Sequence, residues 1–516
     1  MNNIPTKGKV YLVGAGPGDP GLITLRGKFL LERAEVVIYD HLANVKLLAH
    51  APATAERIYV GKKGGVQHII PQEGINRLLI EHGAAGKRVV RLKGGDPFIF
   101  GRGAEEIEEL VKAGIDFEVV PGVTSATAAA TYAGIPITHR DYTASVAFVT
   151  GHEADGKETS NIAWDKLATG AGTIVVYMGI KNLPVISKKL IDNGRSPDTP
   201  VAVVRWASTP QQRSVVGTLA TITDVVKAAK ISPPALVIVG EVVKLHQIID
   251  WYECRPLFGK RIVVTRTREQ ASELVAKLEE YGAECLEYPT IHIEPLADCS
   301  VIDTALDNLA AYHWLLFTSL NAVTYFFKRL HEKGLDSRAL APCKIGAVGK
   351  TTADEVGKYG LKADLIPDTF TGKALATALI AAGEAQGKRV LLPRALKAME
   401  TLPEMLEDAG ASVTAAPVYQ NVPPQGRKEE LRRQLLAREI DIVTFASSSA
   451  VTNFLSMIDA QDKAELHQLL DAVKIAVIGP VTAETVREHG LKTDIQPERY
   501  TISDLAGAIV ASCGKY

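Results

Sequence analysis

Arg91-Leu92-Lys93-Gly94-Gly95-Asp96-Pro97-Phe98-Ile99-Phe100-Gly101-Arg102-Gly103 decides how this chain is read. The apolar pair Val89-Val90 before it reads as a strand. The acid-rich Ala104-Glu105-Glu106-Ile107-Glu108-Glu109-Leu110 after it reads as a helix start, where carboxylates favour the positive end of the dipole. Two adjacent glycines at the carboxyl end of a strand let another molecule approach the main chain with no Cβ in the way. In an α/β sheet that edge is where ligands sit. Asp96 offers a hydrogen-bond acceptor there to a ribose or an amino group. A lone Gly-Gly-Asp is more often a tight strand-to-helix turn, so its neighbours along the chain must decide.

Upstream, Lys9-Val10-Tyr11-Leu12-Val13 reads as a buried strand that runs into Gly14-Ala15-Gly16-Pro17-Gly18-Asp19-Pro20-Gly21. A dinucleotide fingerprint fails here, because Asp19 stands at the third glycine position and two prolines fall where the helix should begin. The stretch is a rigid glycine-proline loop suited to holding a ligand against main chain. Leu22 to Arg33 reads as a helix, Val36-Val37-Ile38-Tyr39-Asp40 as a parallel strand ending in a carboxylate, and Tyr59-Val60-Gly61-Lys62-Lys63 as a third ending in a cation. Asp40 and Lys62 are thus candidates for one ligand-facing edge, although solvation in loops is the commoner fate of such charges.

Downstream, Pro121-Gly122-Val123-Thr124-Ser125-Ala126 reads as a turn into an N-capped helix whose free N–H groups can meet polar ligand atoms. Gly134-Ile135-Pro136-Ile137-Thr138-His139-Arg140-Asp141-Tyr142 follows. A second strand series (Ser145–Thr150, Thr173–Met178, Pro200–Trp206, Ala235–Gly240), punctuated by Gly179, Gly217 and Gly240, predicts a second α/β domain. The cleft between the two domains is then the natural site.

With 516 residues, three or four domains of ordinary size are expected. Apolar residues are 46%, charged ones 23%, and the net charge is −1, so no global basic field argues for nucleic acid and anions must be met by local Arg and Lys. Met1-Asn2-Asn3-Ile4-Pro5 leads into a strand rather than a leader peptide, and no apolar run approaches the ~20 residues of a membrane helix. Five scattered cysteines without Cys-x-x-Cys spacing read as reduced thiols in a cytoplasmic protein with no zinc or other metal site.

The pattern changes at residues 246–257, where Leu245-His246-Gln247-Ile248-Ile249-Asp250-Trp251-Tyr252-Glu253-Cys254-Arg255-Pro256 reads as a linker whose Trp251 and Tyr252 pack it onto a domain. Beyond it the chain repeats itself. Gly259-Lys260-Arg261-Ile262-Val263-Val264 returns 128 residues later as Gly387-Lys388-Arg389-Val390-Leu391-Leu392, and Phe317-Thr318-Ser319 as Phe445-Ala446-Ser447. Lys344-Ile345 through Gly349 returns 130 residues on as Lys474-Ile475 through Gly479. Two similar α/β domains are implied, and duplication alone says nothing about chemistry.

Over residues 8–250, Gly14-Ala15-Gly16-Pro17-Gly18-Asp19, Tyr39-Asp40, Val60-Gly61-Lys62, Gly94-Gly95-Asp96-Pro97-Phe98, Pro121 to Ala126, Thr138 to Tyr142 and Tyr177-Met178-Gly179 fall in the order seen in uroporphyrinogen-III C-methyltransferases, which this half resembles. The resemblance implies a two-domain tetrapyrrole methylase (subdomains about 8–121 and 122–245), commonly a homodimer. It implies S-adenosyl-L-methionine in the interdomain cleft, released as S-adenosyl-L-homocysteine. Pro17, Gly94, Gly95, Asp96, Ile99, Thr124, Ser125, Met178 and Ala207 would line its site, the family often having glycine at the last. Asp40 matches the family's proton acceptor and Lys62 its donor. An electron-rich pyrrole carbon attacks the sulfonium methyl in line, so positive charge passes into the macrocycle, where a carboxylate stabilises it. The substrate's eight carboxylates give Arg102, Arg140 and Lys62 a purpose. Arg140 has an equally good alternative in pairing with Asp141 or Asp116.

Residues 258–516 resemble uroporphyrinogen-III synthase at Val264-Thr265-Arg266, Pro289-Thr290, Thr318-Ser319-Leu320-Asn321-Ala322-Val323, Val418-Tyr419-Gln420, Phe445 to Ser449 and Gly479-Pro480-Val481-Thr482-Ala483. That family has two α/β domains with the chain crossing twice, here near Pro289–Pro295 and Ala416–Pro423, so 258–293 with 418–516 would form one and 294–417 the other. Its reaction closes hydroxymethylbilane with inversion of the last ring through an azafulvenium cation and a spiro intermediate. Tyr419 matches the tyrosine that helps the hydroxyl leave, and a phenol does so without adding a charge that competes with the cation. Arg266, Ser319, Ser447 and Thr482 would hold substrate. Ser319 and Ser447 also precede helices and read as caps, and the family implies no essential catalytic side chain in this half.

The expected fold class is α/β, a two-domain tetrapyrrole methylase unit followed by an internally duplicated two-domain synthase unit. The expected function is conversion of hydroxymethylbilane to uroporphyrinogen III, then methylation at C2 and C7 to precorrin-2. No nicotinamide fingerprint precedes Lys9, so oxidation and metal insertion are expected elsewhere. The alternatives are a methylase of a later corrin intermediate and a second half that only binds tetrapyrroles.

Overall fold

The computed structural model describes residues 8–61, 70–152, 161–265, 268–290, 292–398, 400–422 and 427–514. Contacts divide the chain into two units, the first holding the chain up to Arg261 with Ala276–Cys285 and the stretch from Val510, the second holding Ile262–Val275 and Leu286–Ile509.

Five parallel strands open the first unit: β1 (Lys9–Gly14), β2 (Val36–Tyr39), β3 (Glu56–Tyr59), β4 (Arg88–Lys93) and β5 (Asp116–Val120), in the order β3-β2-β4-β1-β5. A parallel sheet is covered on both faces and its strands read as near-continuous apolar runs. Val10, Leu12, Val36, Ile38 and Val89 pack on one face with Leu79 and Leu110; Val13, Val37, Val90 and Leu92 pack on the other with Leu31 and Leu47. β4 breaks the rule, because Arg91 and Lys93 are buried among these apolar neighbours, 3% and 4% exposed. The expected helix from Leu22 begins later, as a 3₁₀ turn Pro20–Leu22 and then a helix Leu25–Leu31 capped by Thr24, whose hydroxyl accepts the Gly27 N–H. Proline at the first position and the Asp19 side chain, which accepts the Gly21 N–H, favour the separate turn.

The second sheet holds β6 (Val146–Thr150), β7 (Thr173–Tyr177), β8 (Pro200–Arg205), β9 (Arg213–Thr218) and β10 (Ala235–Val239) in the order β6-β7-β10-β8-β9. Only β6 and β7 run parallel; the other pairs are antiparallel. Gly217, expected to punctuate strands, lies inside β9, where its partner is Val201. Trp251 and Tyr252, beyond the second sheet, pack onto the helix Ser125–Tyr132. Trp251 Nε1 donates to the Thr131 carbonyl at 3.0 Å, and the Tyr252 ring lies 4.7 Å from that of Tyr132.

Further along, β11 (Arg261–Val264), β12 (Glu284–Glu287), β18 (Ile442–Phe445) and β19 (Lys474–Val477) form a sheet ordered β12-β11-β18-β19. β13 (His292–Pro295), β14 (Trp314–Phe317), β15 (Lys344–Ala347), β16 (Arg389–Ala395) and β17 (Ser412–Val422) form another, ordered β13-β17-β16-β14-β15. The chain therefore changes sheet between Glu287 and His292 and changes back only after Val422, where crossings near Pro289–Pro295 and Ala416–Pro423 were expected. β17 runs through the expected return point because it pairs parallel with β16 and then, from Tyr419, antiparallel with β13. The repeat is legible in hydrogen bonds: the Ile345 N–H donates to Asp364 Oδ2 at 2.7 Å, and the Ile475 N–H to Asp494 Oδ2 at 2.9 Å. Among the described residues no helix is long and apolar enough to cross a membrane.

Candidate functional site

The carboxyl ends of β1, β2, β4 and β5 deliver Pro17, Asp40, Gly94, Gly95, Asp96, Ile99, Thr124 and Ser125 to one edge of the first sheet, while Met178 and Ala207 follow β7 and β8 of the second. Glycine is demanded there chiefly by the chain's own approach to itself. A Cβ on Gly122 would sit 2.3 Å from the Gly95 carbonyl oxygen, and one on Gly94 would sit 2.4 Å from the Leu42 Cβ. The reading of Gly94 as room for a ligand is therefore replaced by room for the loop after β2. Gly95 is different: its φ is +71°, and a Cβ there would meet Ser125 N at 3.7 Å, an ordinary contact, so it is the left-handed backbone rather than crowding that asks for glycine. Reciprocal hydrogen bonds join the loops, Gly95 N–H to the Gly16 carbonyl at 2.7 Å and Gly16 N–H to the Gly95 carbonyl at 3.3 Å.

Asp96 braces this edge. Its Oδ1 accepts the N–H groups of Phe98 and Ile99 at 2.8 and 3.2 Å, and its Oδ2 that of Gly122 at 3.0 Å. Thr124 occupies the N-cap position of the helix Ser125–Tyr132 without capping it by its side chain. Its hydroxyl instead lies 2.5 Å from the Tyr177 hydroxyl, which also accepts the Ala126 N–H at 3.2 Å. The second sheet thus supplies the cap, through a tyrosine that sequence reasoning quoted but did not single out. Asp19 ties the two subdomains again, receiving the Tyr132 hydroxyl at 2.8 Å while its own N–H donates to Ser208 Oγ at 3.1 Å. Burial and this hydrogen bond push the Tyr132 phenol above its usual range.

Backbone strain gathers here too. Of the described non-glycine residues with left-handed φ, Phe100 (52°), Arg102 (59°), Met178 (53°), Trp206 (48°) and Ser208 (62°) all lie on these strand-end loops. Phe100 and Met178 are exposed, Pro17, Ile99 and Ser125 half-buried, and Ala207 buried. The main-chain groups, hydroxyls and apolar side chains on these loops are of the kinds that an adenosyl group and an amino-acid chain require.

Asp40 follows β2, a quarter exposed in its side chain. Its Oδ1 accepts the Leu42 N–H at 3.0 Å and its Oδ2 the Arg91 Nη2 at 3.2 Å. Behind it, Glu106 Oε1 receives Lys93 Nζ at 2.6 Å, Gln72 Nε2 at 3.3 Å and Arg91 Nε at 3.4 Å. Burial and the neighbouring Arg91 guanidinium hold the Lys93 ammonium below its ordinary range, outweighing the Glu106 carboxylate. Charged residues inside an otherwise apolar parallel strand were the signal for this cluster, which the sequence reading passed over. Lys62 lies outside the described residues. Arg102 is bound to Glu105 at 2.5 Å, which raises its guanidinium above the usual range. Arg140 is exposed, and neither Asp141 nor Asp116 pairs with it among the described residues.

In the second unit Tyr419 is buried at the β16–β17 irregularity, where Arg394 pairs with Pro417 but Ala395 with Tyr419. A bulge re-aims a side chain. Here the Tyr419 hydroxyl lies 3.3 Å from Ser319 Oγ and its ring stacks on Tyr325 at 5.7 Å. Two expected residues are thus brought together. Ser319 also caps the helix Leu320–Glu332 by accepting the Ala322 N–H, and Ser447 caps Ser448–Ile458 by accepting that of Ala450. Thr482 is buried in the first turn of Pro480–Glu488, and its repeat partner Thr352 is buried likewise in Lys350–Gly357. Thr352 was readable from the 130-residue offset. Arg266 lies outside the described residues. No cluster among the described residues could hold a metal ion.

The profile of the tetrapyrrole (corrin/porphyrin) methylases matches residues 9–223, and that of uroporphyrinogen-III synthase HemD matches residues 272–507. The porphyrin biosynthesis protein HemD of Ruminiclostridium josui is 40% identical over 499 residues, covering 96% of this chain and 97% of its own. A uroporphyrinogen-III C-methyltransferase of Priestia megaterium is 54% identical over 236 residues, 46% of this chain and 98% of its own. Among solved structures, a uroporphyrin-III C-methyl transferase from Thermus thermophilus complexed with S-adenosyl homocysteine is 43% identical over 46% of this chain and 94% of its own, with a TM-score of 0.40.

Proposed function

Since the chain belongs to the family that fuses a uroporphyrinogen-III C-methyltransferase to a uroporphyrinogen-III synthase, we propose that it cyclises hydroxymethylbilane to uroporphyrinogen III and methylates that product at C2 and C7 to precorrin-2. The observation that carries this reading is that one chain places a glycine-braced parallel-sheet edge bearing Asp40 in its first unit and the Tyr419–Ser319 pair in its second.

In the first unit S-adenosyl-L-methionine would be held by Pro17, Gly95, Ile99, Thr124, Ser125, Met178 and Ala207, with Gly94 and Asp96 shaping the loop beneath it. The cofactor supplies an activated methyl group, so positioning provides much of the rate. Asp40 stabilises the positive charge that enters the macrocycle and takes the proton whose loss restores neutrality; Lys62, the resemblance's proton donor, would give a proton at one ring position only against a second proton lost at another, so the net loss stays at one per methyl group. Arg102 and Arg140 meet substrate carboxylates; the exposed Arg140 is ready to do so, whereas Arg102 must exchange Glu105 for one. In the second unit the Tyr419 hydroxyl helps water leave hydroxymethylbilane, while Arg266, Ser319, Ser447 and Thr482 hold carboxylates. The synthase lobes would follow the two sheets, one holding β11, β12, β18 and β19 and the other the chain from His292 to Val422, a division that strand membership supports and that shifts the expected boundaries at 293 and 418 by a few residues. A homodimer through the methylase unit accompanies this reading, and a monomer by light scattering would argue against it.

The test is a coupled assay from hydroxymethylbilane, with chromatographic separation of the type I and type III isomers and mass analysis of the product. Without S-adenosyl-L-methionine the product should be uroporphyrinogen III, and with it a species heavier by two methyl groups. The type I isomer would make the second half a mere binding module, and failure to methylate supplied uroporphyrinogen III would point to a later corrin substrate.

A further inference from the structure

We propose that Arg91 is a positioning residue for methyl transfer: its guanidinium sets the Asp40 carboxylate, and Glu106 sets the guanidinium. This rests on the reading of Asp40 given above. Strand alternation places Ile38 and Asp40 on the same face as Val89, Arg91 and Lys93, towards the helix Gly103–Lys112 that carries Glu106. Every guanidinium nitrogen of Arg91 is engaged, Nη2 by Asp40 Oδ2 at 3.2 Å, Nη1 by the Leu92 carbonyl at 3.0 Å and Nε by Glu106 Oε1 at 3.4 Å. A planar fork held at three corners has one orientation. Asp40 is held at both oxygens, by Arg91 and by the Leu42 N–H, so its carboxylate cannot turn at the sheet edge.

Stability does not account for this cluster. Arg91, Lys93 and Glu106 are stripped of water where apolar side chains would pack at no desolvation cost, and replacing buried ion pairs by such residues is often neutral or stabilising. Glu106 Oε2, fully buried, has no hydrogen-bond partner among the described residues. A network selected for stability would satisfy that oxygen. What the cluster does secure is a single placement for the Asp40 carboxylate at the ligand-facing edge. Its two cations and two anions balance in charge, so the field it projects onto the edge is local to Asp40.

The test is a double-mutant cycle on the full-length protein, reading steady-state methylation of uroporphyrinogen III. Arg91→Met alone would strand Glu106, so the charge-balanced pair Arg91→Met with Glu106→Gln is used, and Arg91→Lys, which keeps a cation beside Glu106, serves as the second variant. Each is made with and without Asp40→Asn, and calorimetric binding of S-adenosyl-L-methionine reports the folded fraction. With Asp40 present, kcat should fall about 10- to 100-fold, as for a catalytic group misplaced by about 1 Å, with little change in KM for the methyl donor. With Asp40→Asn already made, the same substitutions should cost less than about twofold, because they act through a group no longer there. Equal losses in both backgrounds, or no loss with Asp40 present, overturn the role of Arg91 and leave Asp40 standing. If Asp40→Asn alone leaves kcat unchanged, the reading of Asp40 fails and Arg91 falls with it.

Discussion

Tyr177 caps the helix Ser125–Tyr132 from the second sheet while its ring lies 4.7 Å from that of Phe100 beyond β4, and it makes a sharp test at the residue scale. Phenylalanine there would leave the buried Thr124 hydroxyl and the Ala126 N–H without their partner, at a cost of about 1–3 kcal/mol. Urea unfolding of Tyr177→Phe should show that loss, together with weaker cofactor binding; unchanged values for both would make the contact incidental. Lys93 carries a second prediction. Burial and Arg91 lower its ammonium below the ordinary 10.5, so between those two values the unfolded chain binds more protons than the folded one. Stability attributable to Lys93 therefore rises with pH across that window and is complete above 10.5. Wild-type stability minus that of Lys93→Met should climb as pH increases towards about 10.5, and a flat difference would sink the claim. Asp40, Thr124 and Asp96 were legible as residues because each ends or follows an apolar run, the last two just past glycines. Their partners were not, since Arg91, Glu106 and Tyr177 acquire meaning only once strand alternation and the second sheet bring them alongside.

At the scale of elements, strand ends were easier to read than strand pairing. Four of the first sheet's five strands were read from apolar runs or their ends; β5 was not, because its first residues, Asp116 and Phe117, are exposed. β9 was missed because it is half-buried and carries Arg213, Ser214 and Gly217, so no apolar run announces it. The length of β17 was missed because its two halves pair in opposite senses with different strands, a tertiary fact that local propensity does not encode. Glycines at strand ends suggested a ligand, whereas most of the crowding they relieve comes from the chain itself. Gly122→Ala tests that point. Its new Cβ would lie 2.3 Å from the Gly95 carbonyl oxygen and 2.8 Å from the Gly14 Cα, both main-chain atoms with little room to yield. Overpacking of this kind costs about 1–3 kcal/mol, and displacement of Gly95 should depress methyl transfer. A variant with wild-type melting temperature and wild-type methyl transfer would show that the strand ends slip past one another freely.

For the whole molecule, the repeat and the two sets of motifs already divide the sequence into a methylase and a synthase, and the two units hold their candidate groups on separate scaffolds. Asp40 is fixed by Arg91 and Leu42 in one, and Tyr419 stacks on Tyr325 beside Ser319 in the other. Separate scaffolds predict separable chemistry. Asp40→Asn should leave hydroxymethylbilane cyclising at the wild-type rate to the type III isomer while methyl incorporation falls. Tyr419→Phe removes one hydroxyl from a neutral contact worth about 1 kcal/mol, so cyclisation should slow by about fivefold while methylation of supplied uroporphyrinogen III is unchanged. The full chain starting from hydroxymethylbilane would then accumulate unmethylated uroporphyrinogen III in the first variant and show a lag, but the same final product, in the second. If Tyr419→Phe also slowed methylation of supplied uroporphyrinogen III, or Asp40→Asn also slowed cyclisation, the two activities would share more of the fold than a common chain, and the independence of the two scaffolds would have to be given up.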